Sequence, residues 1–278
     1  MKEDIDVMQE VKKIAVVFDF DDTLCSDSTS GFLKWCGIDS QEFWHKSDAL
    51  IKEGFDPVLA YMTLMVKKAG TKKYKQFFTK DSFLAYAKTI KFFPGVKRFF
   101  SKLKKDIEVN EKKVELKFYL ISSGLKDIVG NSSIASQFEA VFASDFHYCH
   151  SSSRIKYAKR VVSFTDKTRF LFAISKGVPS YDCYYNPFKV NLKTPREYIA
   201  IPFKNMIYIG DGYSDIPCFA LLKHYKGYGI GVYKKNKMST AEGLKADQRV
   251  SFIADVDYSL NGELYNKIKT YIDDILHR

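Results

Sequence analysis

The run Ile14-Ala-Val-Val-Phe18, five apolar residues rich in β-branched types, passes without a break into Asp19-Phe-Asp-Asp-Thr-Leu24. No other feature constrains the fold as tightly. A continuous apolar run of this length fits a strand covered on both faces, as at the centre of a parallel sheet. Three carboxylates directly after it have no packing rationale, because charge at a buried strand end is costly unless it is paired or used.

The same texture returns along the chain. Val114, Leu116, Phe118 and Leu120 alternate with Glu115, Lys117 and Tyr119, a strand pattern that ends in Ile121-Ser-Ser-Gly124. Residues 140–143 and 160–164 are strand-like, with Tyr148 and the serines at 151–153 as a hairpin turn between them. Asn205-Met-Ile-Tyr-Ile209 is a further buried strand, closed by Gly210-Asp-Gly-Tyr-Ser-Asp215. Pro94 opens an amphipathic helix that reaches Leu103, and a last one carries Leu264, Ile268, Tyr271, Ile272 and Ile275. Strands alternating with helices predict an α/β fold on a parallel sheet. Residues 31–92 interrupt the alternation with helix signals alone. Asp56-Pro57, then Leu59, Met62, Met65 and Val66, then Gly70 read as N-cap, first turn, apolar stripe and C-terminal glycine. Residues 40–52 and 81–92 are two further helical candidates, so this stretch reads as a small helical subdomain.

Composition narrows the partners. The chain has 278 residues, of which 46% are hydrophobic and 15% aromatic, too apolar for a disordered protein. No stretch reaches the roughly 18 apolar residues of a membrane span. The opening MKEDIDVMQEVKK mixes both charge signs and is not expected to be a secretory signal. A net charge of +11 admits nucleic acid, an anionic membrane surface or an anionic substrate. The basic residues form short, scattered groups: Lys67 and Lys68; Lys72, Lys73 and Lys75; Lys234, Lys235 and Lys237. Nucleic acid is therefore not the expected partner, and no membrane is. The five cysteines, Cys25, Cys36, Cys149, Cys183 and Cys218, make no C-x-x-C pair, which points to a reducing, cytoplasmic setting. His147, Cys149 and His150 lack a second pair of ligands for zinc, and a polar hairpin turn is the better reading.

In an open parallel sheet, ligands bind beyond the carboxyl ends of the strands. Three of the buried runs end there in polar clusters: Asp19-x-Asp21-x-Thr23, Ser122-Ser123-Gly124 and Gly210-Asp211-Gly-x-x-Asp215. The four acidic side chains of Asp19, Asp21, Asp211 and Asp215 are expected to converge. A divalent cation relieves their repulsion, and hard oxygen ligands favour Mg²⁺ over zinc. A carboxylate so neutralised can act as a nucleophile toward phosphorus.

Phe18-Asp-Phe-Asp-Asp-Thr-Leu24, Ile121-Ser122, a downstream lysine and Gly-Asp-Gly-x-x-Asp together resemble the haloacid dehalogenase (HAD) superfamily of hydrolases, from the first strand to about residue 220. Tyr228 to Tyr233 would add a strand to the same sheet. The resemblance implies a Rossmann-like parallel sheet sandwiched by helices, built from residues 1–30 and 93–278. It makes 31–92 a helical cap like that of phosphoserine phosphatases. It implies Asp19 as nucleophile and Mg²⁺ ligand, and Asp21 as general acid/base, bound to Mg²⁺ through its carbonyl. Asp211 would be a direct metal ligand and Asp215 a ligand or its anchor. Thr23 would hold the motif loop in a phosphate-binding set with Ser122, Ser123 and Gly124. The phosphate-binding lysine is Lys167 or Lys176. Lys167 is favoured because it opens the helix-like 169–174 segment, whereas Lys176 closes it. On either assignment residues 177–204 form an insertion. Trp35, Phe43, Trp44 and Tyr61 either line the substrate pocket or, as helical spacing favours, form the cap's own core. The carboxylate of Asp21 favours rapid hydrolysis of an aspartyl-phosphate. The expected function is a Mg²⁺-dependent phosphatase for a small phosphorylated metabolite. The alternatives are a phosphatase for phosphoprotein or nucleotide, a phosphomutase or phosphotransferase, and a non-catalytic phosphate-binding module.

Overall fold

The computed structural model describes residues 11–110 and 114–278. The sequence read above for a leader lies, through Glu10, outside the described residues. Strand β1 (Lys12–Phe18) is followed by helices α1 (Ser28–Trp35), α2 (Ser40–Lys52), α3 (Pro57–Ala69), α4 (Lys80–Ala87) and α5 (Val96–Asn110). Then come β2 (Val114–Leu125), the single turn α6 (Lys126–Val129), the strands β3 (Ala140–Tyr148) and β4 (Ile155–Arg160), and α7 (Asp166–Lys176). After the short α8 (Asp182–Tyr185), the chain runs through β5 (Met206–Gly210), α9 (Ile216–His224), β6 (Tyr228–Tyr233), α10 (Met238–Ala246), β7 (Phe252–Asp255) and α11 (Glu263–Leu276).

The strands form one seven-stranded sheet in the order β4-β3-β2-β1-β5-β6-β7. Ile14 to Phe18 are wholly buried, as a central strand with helices on both faces requires. Ile14, Val16 and Phe18 face α5 and α11, packing with Phe99, Phe100, Leu103, Ile268 and Ile272. Ala15, Val17 and Tyr208 face α7 and α9, packing with Phe170, Leu171, Phe219 and Leu222. Phe18 pairs with Leu120 on one side and Ile209 on the other, so the residues that follow these three lie side by side. That register brings Asp19, Ser122 and Asp211 to one edge.

Helices α1 to α4 share a third core of Phe32, Phe43, Tyr61, Met62, Met65, Phe78 and Phe83. This core is completed by Leu125, Ile128, Phe146 and Ile155 from the sheet domain, so the helical cap rests on the ends of β2, β3 and β4.

The sheet departs from the expected one at its edge. The strand anticipated at 160–164 is instead β4, Ile155–Arg160, and it runs antiparallel to β3. Only one face of this edge strand is covered, and Lys156 and Lys159 point outward. The helix anticipated at 81–92 stops at Ala87: Thr89 turns back onto the Tyr86 carbonyl with both its N–H and its hydroxyl at 2.8 Å, and the chain beyond is drawn to the motif loop, where Phe92 bridges to Cys25 and Phe93 N donates to the Leu24 carbonyl at 3.0 Å. Helix α1 begins three residues before the expected start of the helical segment, capped by Asp27 accepting from Ser30 N. Residues 177–204 hold α8 and short 3₁₀ turns and bury Cys183, Val190 and Ile201 beside α7. Among the described residues, no helix is long and apolar enough to cross a membrane.

Candidate active site

The site begins with a lysine placed where a lysine is costly. Lys167, in the first turn of α7, is 1% exposed, and its Nζ donates to Asp19 Oδ1 at 2.9 Å and to Asp215 Oδ1 at 2.7 Å. Asp215 is fully buried and is held by further donors: Tyr208 Oη at 2.8 Å to Oδ1, and Gly212 N at 3.3 Å to Oδ2. Gly210 permits this fold-back, since a Cβ there would stand 2.4 Å from Asp215 Oδ2. Lys176 lies elsewhere, its Nζ donating to the carbonyls of Val190 and Leu192 at 2.6 and 2.7 Å.

Asp19, Asp211 and Asp215 each offer a carboxylate oxygen within 4.8 Å of the others. Asp21 does not join them, so three side chains converge rather than four. Its Oδ1 accepts from Ser28 N at 2.7 Å, turning the carboxylate toward the N-terminus of α1. It still lines the same cavity of about 180 Å³. The other walls include Asp19, Asp22, Asp27, Ser122, Ser123, Gly124, Lys167 and Asp211. Thr23 is wholly buried and is not among the lining residues.

Residues 122–124 lie where the pairing of β2 with β3 shifts register, and they line the cavity. Gly124 N donates to Ser122 Oγ at 2.9 Å, and Ser123 Oγ is buried with no hydrogen-bond partner among the described residues. Gly124 approaches so closely that a Cβ would lie 2.8 Å from Asp21 Oδ2. The Ser123 carbonyl accepts from Tyr61 Oη of the cap at 2.8 Å and from Ser144 Oγ at 3.0 Å.

Crowding of acids controls the charge. Burial pushes Asp19 up to about 6, against the pull of Lys167 and with repulsion from Asp215. Burial, then Asp215 and Asp19, push Asp211 up to about 8, and burial, then Asp27, push Asp21 up to about 8. Burial alone would lower Lys167, but Asp19 and Asp215 outweigh it and hold the ammonium firmly protonated. Surplus negative charge on hard oxygen donors, with only one buried ammonium among them, suits a divalent cation such as Mg²⁺.

Comparison with known proteins agrees with this architecture. No model of a known protein family matches the chain. It is 30% identical over 285 residues to an uncharacterized protein of Borreliella burgdorferi, across 92% of this chain and 95% of that one, and the two belong to one family. A HAD family hydrolase from Salmonella enterica serovar Typhi superposes with a TM-score of 0.58 at 14% identity, over 91% of this chain and 72% of that one. A substrate-bound phosphoserine phosphatase gives 0.56 at 14% identity, over 95% and 100%. A phosphoserine phosphatase solved as a phospho-aspartyl intermediate analogue gives 0.55 at 12%, over 93% and 99%. The chain has the HAD superfamily fold. Within that fold it is phosphoserine-phosphatase-like, with the helical cap between the first two strands of the chain.

Several residues at this site escape a reading of the motifs alone. Tyr208 was visible only as part of a buried strand, yet a hydroxyl on an inward face needs a partner, and that rule points to Asp215. Asp22, Asp27, Phe164 and Ser214 also line the cavity. Lys234 and Lys237 reach Asp22 from about 210 residues away, which no local pattern discloses. The cap aromatics divide: Phe43 and Tyr61 are buried, whereas Trp35 is 43% exposed. Trp44 donates to Ser30 Oγ at 2.6 Å. His147, Cys149 and His150 form no metal cluster among the described residues. His147 stacks on Tyr157 at 4.6 Å, beside a turn in which Cys149 N donates to the Arg154 carbonyl.

Proposed function

We propose that the chain is a Mg²⁺-dependent phosphatase that hydrolyses a small phosphomonoester through an aspartyl-phosphate on Asp19. The observation that carries this reading is the buried Lys167 ammonium between Asp19 and Asp215, with Asp211 and the 122–124 loop around the same cavity. Asp19 attacks phosphorus, and its new P–O bond forms as the ester P–O bond breaks. Asp21, pushed up to about 8, still holds a proton near neutral pH and gives it to the leaving oxygen. As a carboxylate it then takes a proton from water, which attacks the phospho-aspartate and frees inorganic phosphate with Asp19 restored. Lys167, Ser122, Ser123 and the backbone N–H groups of their loop receive the phosphoryl oxygens, whose charge is dispersed in the transition state. Asp19, Asp211, Asp215 and the Asp21 carbonyl would hold Mg²⁺, which supplies charge neutralisation at the phosphoryl group. Thr23 backs the motif loop through its carbonyl, which accepts from Tyr258 Oη at 3.0 Å. Residues 31–92 form the cap, which excludes water until the ester is bound. A cavity of about 180 Å³ suits a metabolite rather than a macromolecule, and five free cysteines fit a cytoplasmic setting.

The test uses an aryl phosphate with Mg²⁺. Phosphate release is expected from the unaltered protein and is expected to fall at least a thousandfold in Asp19→Asn, with the circular dichroism spectrum unchanged. Undiminished turnover in that variant rejects Asp19 as the nucleophile.

A further inference from the structure

The motif loop carries a clamp that the proposed chemistry does not use. Asp22 sits between the acid/base Asp21 and Thr23, and its φ of 56° is left-handed, a conformation most residues with a Cβ avoid and aspartate tolerates better than most. Its side chain, 11% exposed, takes two ammonium groups: Lys234 Nζ at 2.6 Å on Oδ1 and Lys237 Nζ at 2.5 Å on Oδ2. Both lysines follow β6, and β6 is not a neighbour of β1, because β5 stands between them. The two ion pairs therefore arch over the end of β5, where Asp211 begins its loop. Surface ion pairs are usually worth little, but here a partly buried carboxylate is gripped on both oxygens by a loop distant in sequence. The residues on either side of Asp22 have ties of their own, Ser28 N to Asp21 Oδ1 at 2.7 Å, Tyr258 Oη to the Thr23 carbonyl at 3.0 Å and Leu24 N to the Phe20 carbonyl at 2.8 Å, whereas the Asp22 side chain is held by the two lysines.

We propose that Lys234 and Lys237 are positioning residues that act through Asp22. They lock the left-handed turn and so fix where the preceding residue, Asp21, presents its carboxyl. The inference rests on the phosphatase reading for its kinetic arm alone.

Three proteins test it: Asp22→Gly, the double variant Lys234→Met/Lys237→Met, and all three changes together. Glycine accepts a φ of 56° without strain, so Asp22→Gly cuts the clamp while the turn stays sterically allowed. Each of the first two is expected to lose about tenfold or more in kcat with KM within about threefold, and the triple variant to lose no more than either, since both remove one device. Lys237→Arg alone is expected to keep most of the activity. Losses that multiply in the triple variant overturn the proposal, because the lysines would then act apart from Asp22. A direct arm follows amide hydrogen exchange in residues 19–27, expected to rise at least tenfold in the lysine double variant while β2 and β5 are unchanged. Unchanged exchange in 19–27 overturns the clamp. If the unaltered protein turns over no phosphomonoester, the phosphatase reading fails and this arm decides the clamp by itself.

Discussion

Lys167 has the most at stake of any residue here, because it lies between two carboxylates with almost no water to share the charge. Removing one partner of a buried ion pair typically costs about 3–5 kcal/mol, since the remaining charge is left uncompensated. Lys167→Met should therefore destabilise the metal-free protein, and the loss should depend on pH. Asp19 is already raised to about 6 with the ammonium in place, and without it the carboxyl keeps its proton to higher pH. A protonated Asp19 no longer needs a cation. The variant should lose about 3 kcal/mol or more at pH 8 and less at pH 5, where the Asp215 half of the pairing is still lost, as measured by urea unfolding without metal. An equal loss at both values contradicts the pairing. The acids, serines and glycines of the candidate site were legible at this scale because such residues directly after apolar runs have no packing purpose, whereas Lys167 was singled out only through the family resemblance. Asp22 and Asp27 were in view too, but nothing local says which of several adjacent acids faces the cavity. Their partners lie on another loop or on the first turn of an unanticipated helix.

Elements were legible where a pattern is long and both its ends are marked. Helix α3 carries Asp56 as N-cap, Pro57 in its first turn and Gly70 at its end, and β1 is an unbroken apolar run. Short elements with one covered face gave no such signal: β4 at the sheet edge, β7 with four residues, and α1, whose eight residues make little more than two turns. The link between the cap and residues 122–124 was hidden for a similar reason, because it consists of single hydrogen bonds between elements far apart in the chain. Ser144 in β3 shows how it works. Its Oγ donates to the Ser123 carbonyl and accepts from Val162 N, both at 3.0 Å, tying β3 to the 122–124 loop and to the segment after β4. Ser144→Ala strands the buried Val162 N–H, at a cost of about 1–3 kcal/mol. It also leaves Tyr61 as the remaining side-chain donor to the Ser123 carbonyl. The expected outcome is a lower melting temperature together with a KM for aryl phosphate raised severalfold, while kcat changes less. A KM that stays fixed separates Ser144 from the loop's function.

For the whole molecule, the decisive quantity is the number of protons the acid cluster holds. In the metal-free fold Asp19 is raised to about 6, and Asp21 and Asp211 to about 8, by burial and by one another, whereas an unfolded aspartate titrates near pH 3.9. Between about pH 4 and 8 the folded chain thus binds more protons than the unfolded one, so stability falls as pH rises through that window. Lys167, raised further still, stays charged throughout and does not alter the sign. Asp22, lowered because Lys234 and Lys237 outweigh its burial, acts only at the acid end. A divalent cation replaces those protons, and each carboxylate must give up its own to bind it. Mg²⁺ should accordingly raise the melting temperature more at pH 8 than at pH 6, flatten the fall in stability, and release protons that titration calorimetry in buffers of different ionisation enthalpy can count. Asp211→Asn removes one of the two acids raised to about 8. It should make the metal-free protein less sensitive to pH and weaken the Mg²⁺ shift at the same time, because both effects arise from the same buried charge. A metal-free protein whose stability instead climbs from pH 5 to 8 would mean that these carboxyls are ionised and compensated in the fold, and that the cluster has no deficit for a cation to fill.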